Sequence, residues 1–412
     1  MQHLASRVVQ SCGFTQQRKV RKDADTVLSS IDLPWETMHR ETLRETPEFR
    51  LQRCGRFLIT ELLKPHRVLS TSASNGGQSD GIRYLVNHQS CEANDHRERH
   101  LHMTQLGMEA YHDSVCRELF LPPCEVALMG TAANMNYAGI VQHQAEDVTV
   151  TAVVTAGVHG NAICAGDPTT WQETEHGWAK ISAEAGTINT LLLISRSLTE
   201  GALARAVVTM TEAKSAGLQR LAIRSRYSLD FATGTSTDQY CIAAPLSAGW
   251  PYKSTSTGVK LGELLGLAVR DAMLEALRWQ NGLEPSYTRS IFHALDRFGI
   301  REDSFCEDIR PYLSEREFEL LKGNNKAIVY EPLVSSAAYD IASVLDRLRH
   351  GTIPENVARE ALRQQAATLA ASLAARPADW SDFYRNLDAV DLERPERVVL
   401  AAIALGWSAK WR

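Results

Sequence analysis

The apolar residues Leu203, Ala206, Val207, Met210, Ala213, Gly217, Leu218 and Leu221 recur at spacings of three and four. That period predicts a helix over 200–221 with one buried stripe. Lys214 falls inside the stripe, four residues from Met210 and from Leu218, so its ammonium leaves from the buried face, while Glu212 points the other way. An inward lysine snorkels to a rim, pairs with a carboxylate, or serves a cleft as a base of lowered pKa. A structural ion pair and a catalytic amine give the same pattern.

Downstream, TGTSTDQ sets Thr233, Gly234, Thr235 and Thr237 ahead of Asp238. Backbone N–H groups and hydroxyls in such a turn could hold an anion or a developing oxyanion. A Thr-rich hairpin with Asx-type turns has the same composition. In TAGVHGNAICAGDP, Thr155 ends a strand and the loop beyond offers His159, Asn161 and Asp167. A solvated loop histidine is the plainer reading of His159. SASNGGQSDG supplies Asn75, Gly76 and Gly77, with Asn87 in the following apolar run, and matches neither a Walker loop nor a dinucleotide fingerprint. Lys260 and Glu263 lie off the stripe of a helix expected over 261–277, lining a groove or facing water.

Metal chemistry is not expected. His96, His100 and His102 cluster in DHRERHLH, but without HExxH order and among charged residues, as on a solvated surface.

The elements that must position these residues follow from the apolar runs. FLITELL, RVLSTSA, CEVALMGTAA, VTVTAVVTAGV and TINTLLLIS are short, rich in β-branched residues and bounded by turn residues, which predicts strands. LDFATGTSTDQYCIAAPL reads as a strand pair between the two helices. Past 285 only helical patterns remain, stopped by Gly or Pro. The fold class is therefore α+β, a mixed-sheet α/β layered domain over 46–284, after a polar arm over 1–45 and before an all-α extension over 285–412. Trp407 and Trp411 are expected to cover part of the main domain.

With 44 Lys+Arg against 49 Asp+Glu in 412 residues, the net charge of −5 argues against tracking a phosphate backbone, so no nucleic-acid partner is expected. No apolar run of about 18 residues predicts a membrane span, and the start lacks a secretion signal. A cytoplasmic location with reduced, scattered cysteines is the expectation. The helical extension suits a homo-oligomer contact, a lid or a partner site.

Taken in order, RVLSTSASNGG, YLVNHQ, VALMGTAANM, AVVTAGVHGNAICAGDP, GTINTLLLI, TEAKSAGLQ, ATGTSTD and TSTGVKLGELLG resemble the CbiZ family of adenosylcobinamide amidohydrolases, from about 55 to 277. The resemblance implies hydrolysis of the amide joining the aminopropanol arm to the corrin ring, a step of corrinoid (vitamin B12) salvage. It implies a corrinoid substrate and no cofactor, cobalt entering only within the substrate. A second likeness, around Asn189 and Thr190 and GTSTD, is to ornithine acetyltransferases and β-peptidyl aminopeptidases, in which the chain is cut before a nucleophilic Thr or Ser.

Amide hydrolysis needs a nucleophile, a proton carrier and oxyanion donors. The expected assignment is Thr190 or a nearby water as nucleophile and Lys214 as base. Asn189, Thr233 and the Gly234 and Thr235 backbone would hold the oxyanion, with Asp238 orienting Lys214 or accepting from the leaving amine. Asn75, Asn87, Asn161 and Asp167 suit an amide-edged ring, since such groups both donate and accept or supply acceptors. Thr155, His159, Thr237, Gly76, Gly77, Lys260 and Glu263 complete the expected binding set. The rivals are water activated by Glu212 or Asp238, a corrinoid-binding or regulatory protein without chemistry, and an amide hydrolase or acyltransferase with a Thr nucleophile acting on another substrate.

Overall fold

The computed structural model describes residues 40–90, 106–168, 171–174, 177–180 and 186–410. In chain order its strands are β1 (Glu41–Glu45), β2 (Phe49–Cys54), β3 (Phe57–Leu62), β4 (His66–Ser70), β5 (Gly77–Ser79), β6 (Tyr84–Gln89), β7 (Val126–Thr131) and β8 (Gly139–Ala145). There follow β9 (Val148–Gly157), β10 (Ala162–Ile163), β11 (Trp171–Thr174), β12 (Gly177–Lys180), β13 (Thr187–Ile194), β14 (Gly234–Thr235) and β15 (Gln239–Pro245). Two sheets carry the domain, one ordered β1-β2-β3-β6-β7 and the other β5-β4-β15-β13-β9-β8.

The sheets pack face to face. Leu51, Leu58, Leu85 and Met129 from the first meet Val68, Val153, Leu191 and Cys241 from the second in one apolar cluster. Alternation along β13 sends Leu191 and Leu193 between the sheets and Ile188, Leu192 and Ile194 to the opposite face. That outer face is covered by α2 (Glu200–Arg220) and α3 (Lys260–Asn281), while α1 (Met108–Glu118) covers the first sheet. The layers therefore run α/β/β/α, and TINTLLLI is buried at every position because both of its faces are packed.

β13 and β15 are parallel, and α2 is the crossover that parallel neighbours require. Thr199 caps α2 by accepting from the Ala202 N–H at 3.3 Å. α3 closes on Gly282 at φ 64°, beyond the expected end of the pattern.

The segment read as a strand pair is not a hairpin: β14 pairs with β10, and β15 joins β13. β1 begins at Glu41, inside the run read as a polar arm. The extension builds its own core from α4 (Glu315–Val329), α5 (Pro332–Arg349), α6 (Glu355–Ala374) and α7 (Pro395–Lys410), with Ile341, Leu362 and Ile403 at its centre. Trp407 seals that core, its indole N–H donating to the Glu317 carbonyl at 3.0 Å, rather than covering the main domain. Trp411 lies outside the described residues.

The extension docks on 221–231, the stretch leading from α2 toward Asp238. Arg297 donates to both oxygens of Asp346 at 2.5 and 2.6 Å and to the Leu229 carbonyl at 2.6 Å. Its guanidinium lies 4.5 Å from the ring centroids of Phe231 and of Phe298. Arg224 pairs with Asp296 at 2.5 Å, and Arg349 with Asp230.

Candidate active site

The C-terminal ends of β6, β7 and β9 and the N-terminal ends of β13 and β15 gather at one end of the sandwich. Here Lys214 leaves α2 and donates to Asp238 Oδ2 at 2.5 Å, with side chains only 16% and 17% exposed. The rest of the Asp238 carboxylate is also claimed. Ile188 N–H donates to Oδ1 at 3.0 Å, Thr235 N–H to Oδ2 at 3.1 Å, and the Thr235 hydroxyl to Oδ1. Four donors fill the acceptor capacity of a carboxylate, so Asp238 is a fixed anchor for the ammonium. A Cβ on Gly234 would stand 2.4 Å from Asp238 Oδ2 and 2.8 Å from Lys214 Nζ, which explains glycine there.

Thr190 belongs to the same side. It follows Ile188 by one strand period on the helix-facing side of β13, beside Tyr240 of β15. The residue is 3% exposed, and its hydroxyl has no hydrogen-bond partner among the described residues. β13 runs unbroken through Asn189 and Thr190, paired on both sides.

Asn189 points the other way, into the space between the sheets. Its amide nitrogen donates to Asn87 Oδ1 at 2.8 Å and to the Gly130 carbonyl at 3.0 Å, while Asn87 donates to Thr155 at 2.8 Å. The Asn189 side-chain oxygen is buried and has no hydrogen-bond partner among the described residues. The residues expected to act together thus fall on opposite faces of one strand. Asn189 has no N–H left for an oxyanion.

The Thr233 and Thr235 amides are likewise engaged, by the Ile163 carbonyl at 2.9 Å and by Asp238, which corrects the oxyanion assignment to them. Asn161 is spent on structure, donating to Gly186 and Ser236 and accepting from Tyr227. Asp167 binds the Cys164 N–H and the Ser225 hydroxyl. Burial opposes its ionisation, yet hydrogen bonds from Ser225, Ser228 and Cys164 hold its carboxyl below the usual range. Thr237 donates to the Gly186 carbonyl at the rim.

Five expected binding residues lie elsewhere or serve the fold. Asn75, at φ 57°, clamps the start of β7 through the Pro123 and Val126 carbonyls. Gly76 permits a turn in which a Cβ would meet the Ser72 carbonyl at 2.1 Å, and Gly77 sits at φ +82°. Lys260 pairs with Glu263 at 2.6 Å, both exposed, at the opposite end of α3 from the site. A helix of 22 residues puts that end roughly 30 Å from Asn281, which caps the Val158 N–H beside the site. Glu212 faces solvent. His96, His100 and His102 lie outside the described residues, and no cluster of metal-ligating side chains occurs among the described ones. Gln239 was missed as a site residue: it accepts from the Gly130 N–H at 2.9 Å and ties the two sheets together.

A sequence model of the CbiZ family, described as adenosylcobinamide amidohydrolase, matches residues 40–285. The uncharacterized protein MJ1613 of Methanocaldococcus jannaschii is 33% identical over 183 residues, which make up 42% of this chain and 71% of that protein. Among solved structures, the PH0078 protein from Pyrococcus horikoshii OT3 overlays with a TM-score of 0.28 and 13% identity, across 58% of this chain and 83% of its own.

Proposed function

Because the chain belongs, over residues 40–285, to the CbiZ family of adenosylcobinamide amidohydrolases, we propose that it hydrolyses the aminopropanol amide of adenosylcobinamide. The products are adenosylcobyric acid and 1-amino-2-propanol. Beyond the family, the observation that supports the reading is the Lys214 ammonium held on a fully anchored Asp238, at the strand ends where sheets commonly place their chemistry.

In this mechanism Thr190, or a water beside its hydroxyl, attacks the amide carbon. A corrinoid covering the site excludes water, which raises the cost of keeping the Lys214 and Asp238 pair charged. The shared proton shifts toward Asp238 and frees the lysine lone pair. Lys214 then takes the nucleophile's proton and passes it to the departing amine as the C–N bond breaks, and one water is consumed overall. Asp238 acts as a positioning residue, through Lys214.

The test is incubation of purified protein with adenosylcobinamide, followed by mass spectrometry for adenosylcobyric acid and aminopropanol. Product that disappears in Lys214→Ala is the expected result. Intact substrate with the wild-type protein would overturn the reading in favour of corrinoid binding without chemistry.

A further inference from the structure

A cavity of about 480 Å³ opens where the extension meets the domain, within the range of roughly 300–1,000 Å³ usual for small-molecule sites. Five aromatic rings line it: His159 from the loop after β9, and Tyr287, Phe292, His293 and Tyr330 from the extension. Tyr287 and His293 stand edge to face, 5.7 Å between centroids. Val158, Ile223 and Leu283 supply an apolar floor.

The charges around this cavity cancel. Arg224 is paired with Asp296 and Arg301 with Asp303, leaving Arg226 and Glu302, one of each sign. Burial holds both imidazoles below their ordinary range, with Arg226 adding to the effect at His159. An aromatic wall without net charge suits a flat, uncharged heterocycle.

Its position ties it to the chemistry. Val158 directly follows Gly157, the cross-strand partner of Thr187, and the neighbouring Ile188 N–H binds Asp238. Two inter-strand steps put the cavity rim on the order of 10 Å from Asp238. Ala222 and Ile223 reach the cavity from just beyond the end of α2, the helix that presents Lys214.

We infer that this seam cavity is the subsite for the adenosyl group of the substrate, a neutral purine nucleoside, so that the helical extension forms a specificity wall of the active site. The inference rests on the amidohydrolase reading for the identity of the attached corrinoid. The nucleoside lies between the aromatic rings while the aminopropanol arm reaches Lys214.

The experiment uses the full chain. Equilibrium dialysis with 5′-deoxyadenosine measures the subsite alone, and steady-state hydrolysis compares adenosylcobinamide with cyanocobinamide. Tyr287→Ala, at a residue 43% exposed, and Tyr330→Ala are expected to weaken 5′-deoxyadenosine binding at least tenfold. Both should raise KM for adenosylcobinamide by a similar factor, with kcat and the cyanocobinamide KM unchanged. Wild-type protein that does not bind 5′-deoxyadenosine, or variants that shift both corrinoids equally, would overturn the subsite while leaving the hydrolase reading intact. Nucleoside binding lost in the variants, with no hydrolysis by the wild type, would remove the hydrolase reading and keep the subsite.

Discussion

At Gly234 a single methyl group would collide with both members of the ion pair. Gly234→Ala is therefore expected to cut kcat by about 10² or more, the usual consequence of displacing a fixed electrostatic group, with the folded state retained by circular dichroism. Thr190→Ala divides the two nucleophiles: near-complete loss supports the hydroxyl, whereas near-normal turnover assigns the attack to water. Acidification supplies a residue-level test of another kind. Burial depresses the folded-state pKa of His66, His159 and His293, so each favours the fold when neutral. Their contribution is complete above the unfolded value of 6.5 and is lost as pH falls through the lower folded values. The melting temperature should drop below pH 6.5, and His293→Gln should flatten that slope. The inward aim of Lys214 was legible because helical periodicity is a local property. The Asn189, Asn87 and Thr155 chain was not, because period-two alternation gives a side chain's face without saying which strand of a second sheet will oppose it.

At the scale of elements, close approaches fix how helices sit on the outer sheet. A Cβ on Gly139 of β8 would stand 1.9 Å from the Ala272 carbonyl of α3. Gly139→Ala should cost about 1–3 kcal/mol in urea unfolding through overpacking, without touching the site. The long strands and both crossing helices were readable from pattern, since each buries a continuous face. β14 was misread because its partner β10 comes from a distant loop, and two-residue strands leave no periodic trace. α1 escaped notice because Tyr111, His112, Val115 and Cys116 make a narrow stripe in an otherwise polar stretch.

At the scale of the whole molecule, the extension and the domain meet through the 221–231 stretch, with Arg297 at the centre of the joint. Its side chain is 5% exposed, so Arg297→Met would strand the Asp346 carboxylate and should destabilise the extension by about 3 kcal/mol. Hydrogen exchange across 221–231 should accelerate in the same variant, while β13 keeps its protection. That joint also has a timetable. The family-matched region ends at residue 285, and the 349 − 285 = 64 residues up to Arg349, the last of the docking side chains named above, take about 3–13 s to emerge at ordinary synthesis rates. During that interval Lys214 and Asp238 already exist in the chain, but the stretch between them has nothing to dock against. A newborn chain would thus hold both members of the Lys214 and Asp238 pair before it holds the helices that brace the stretch between them.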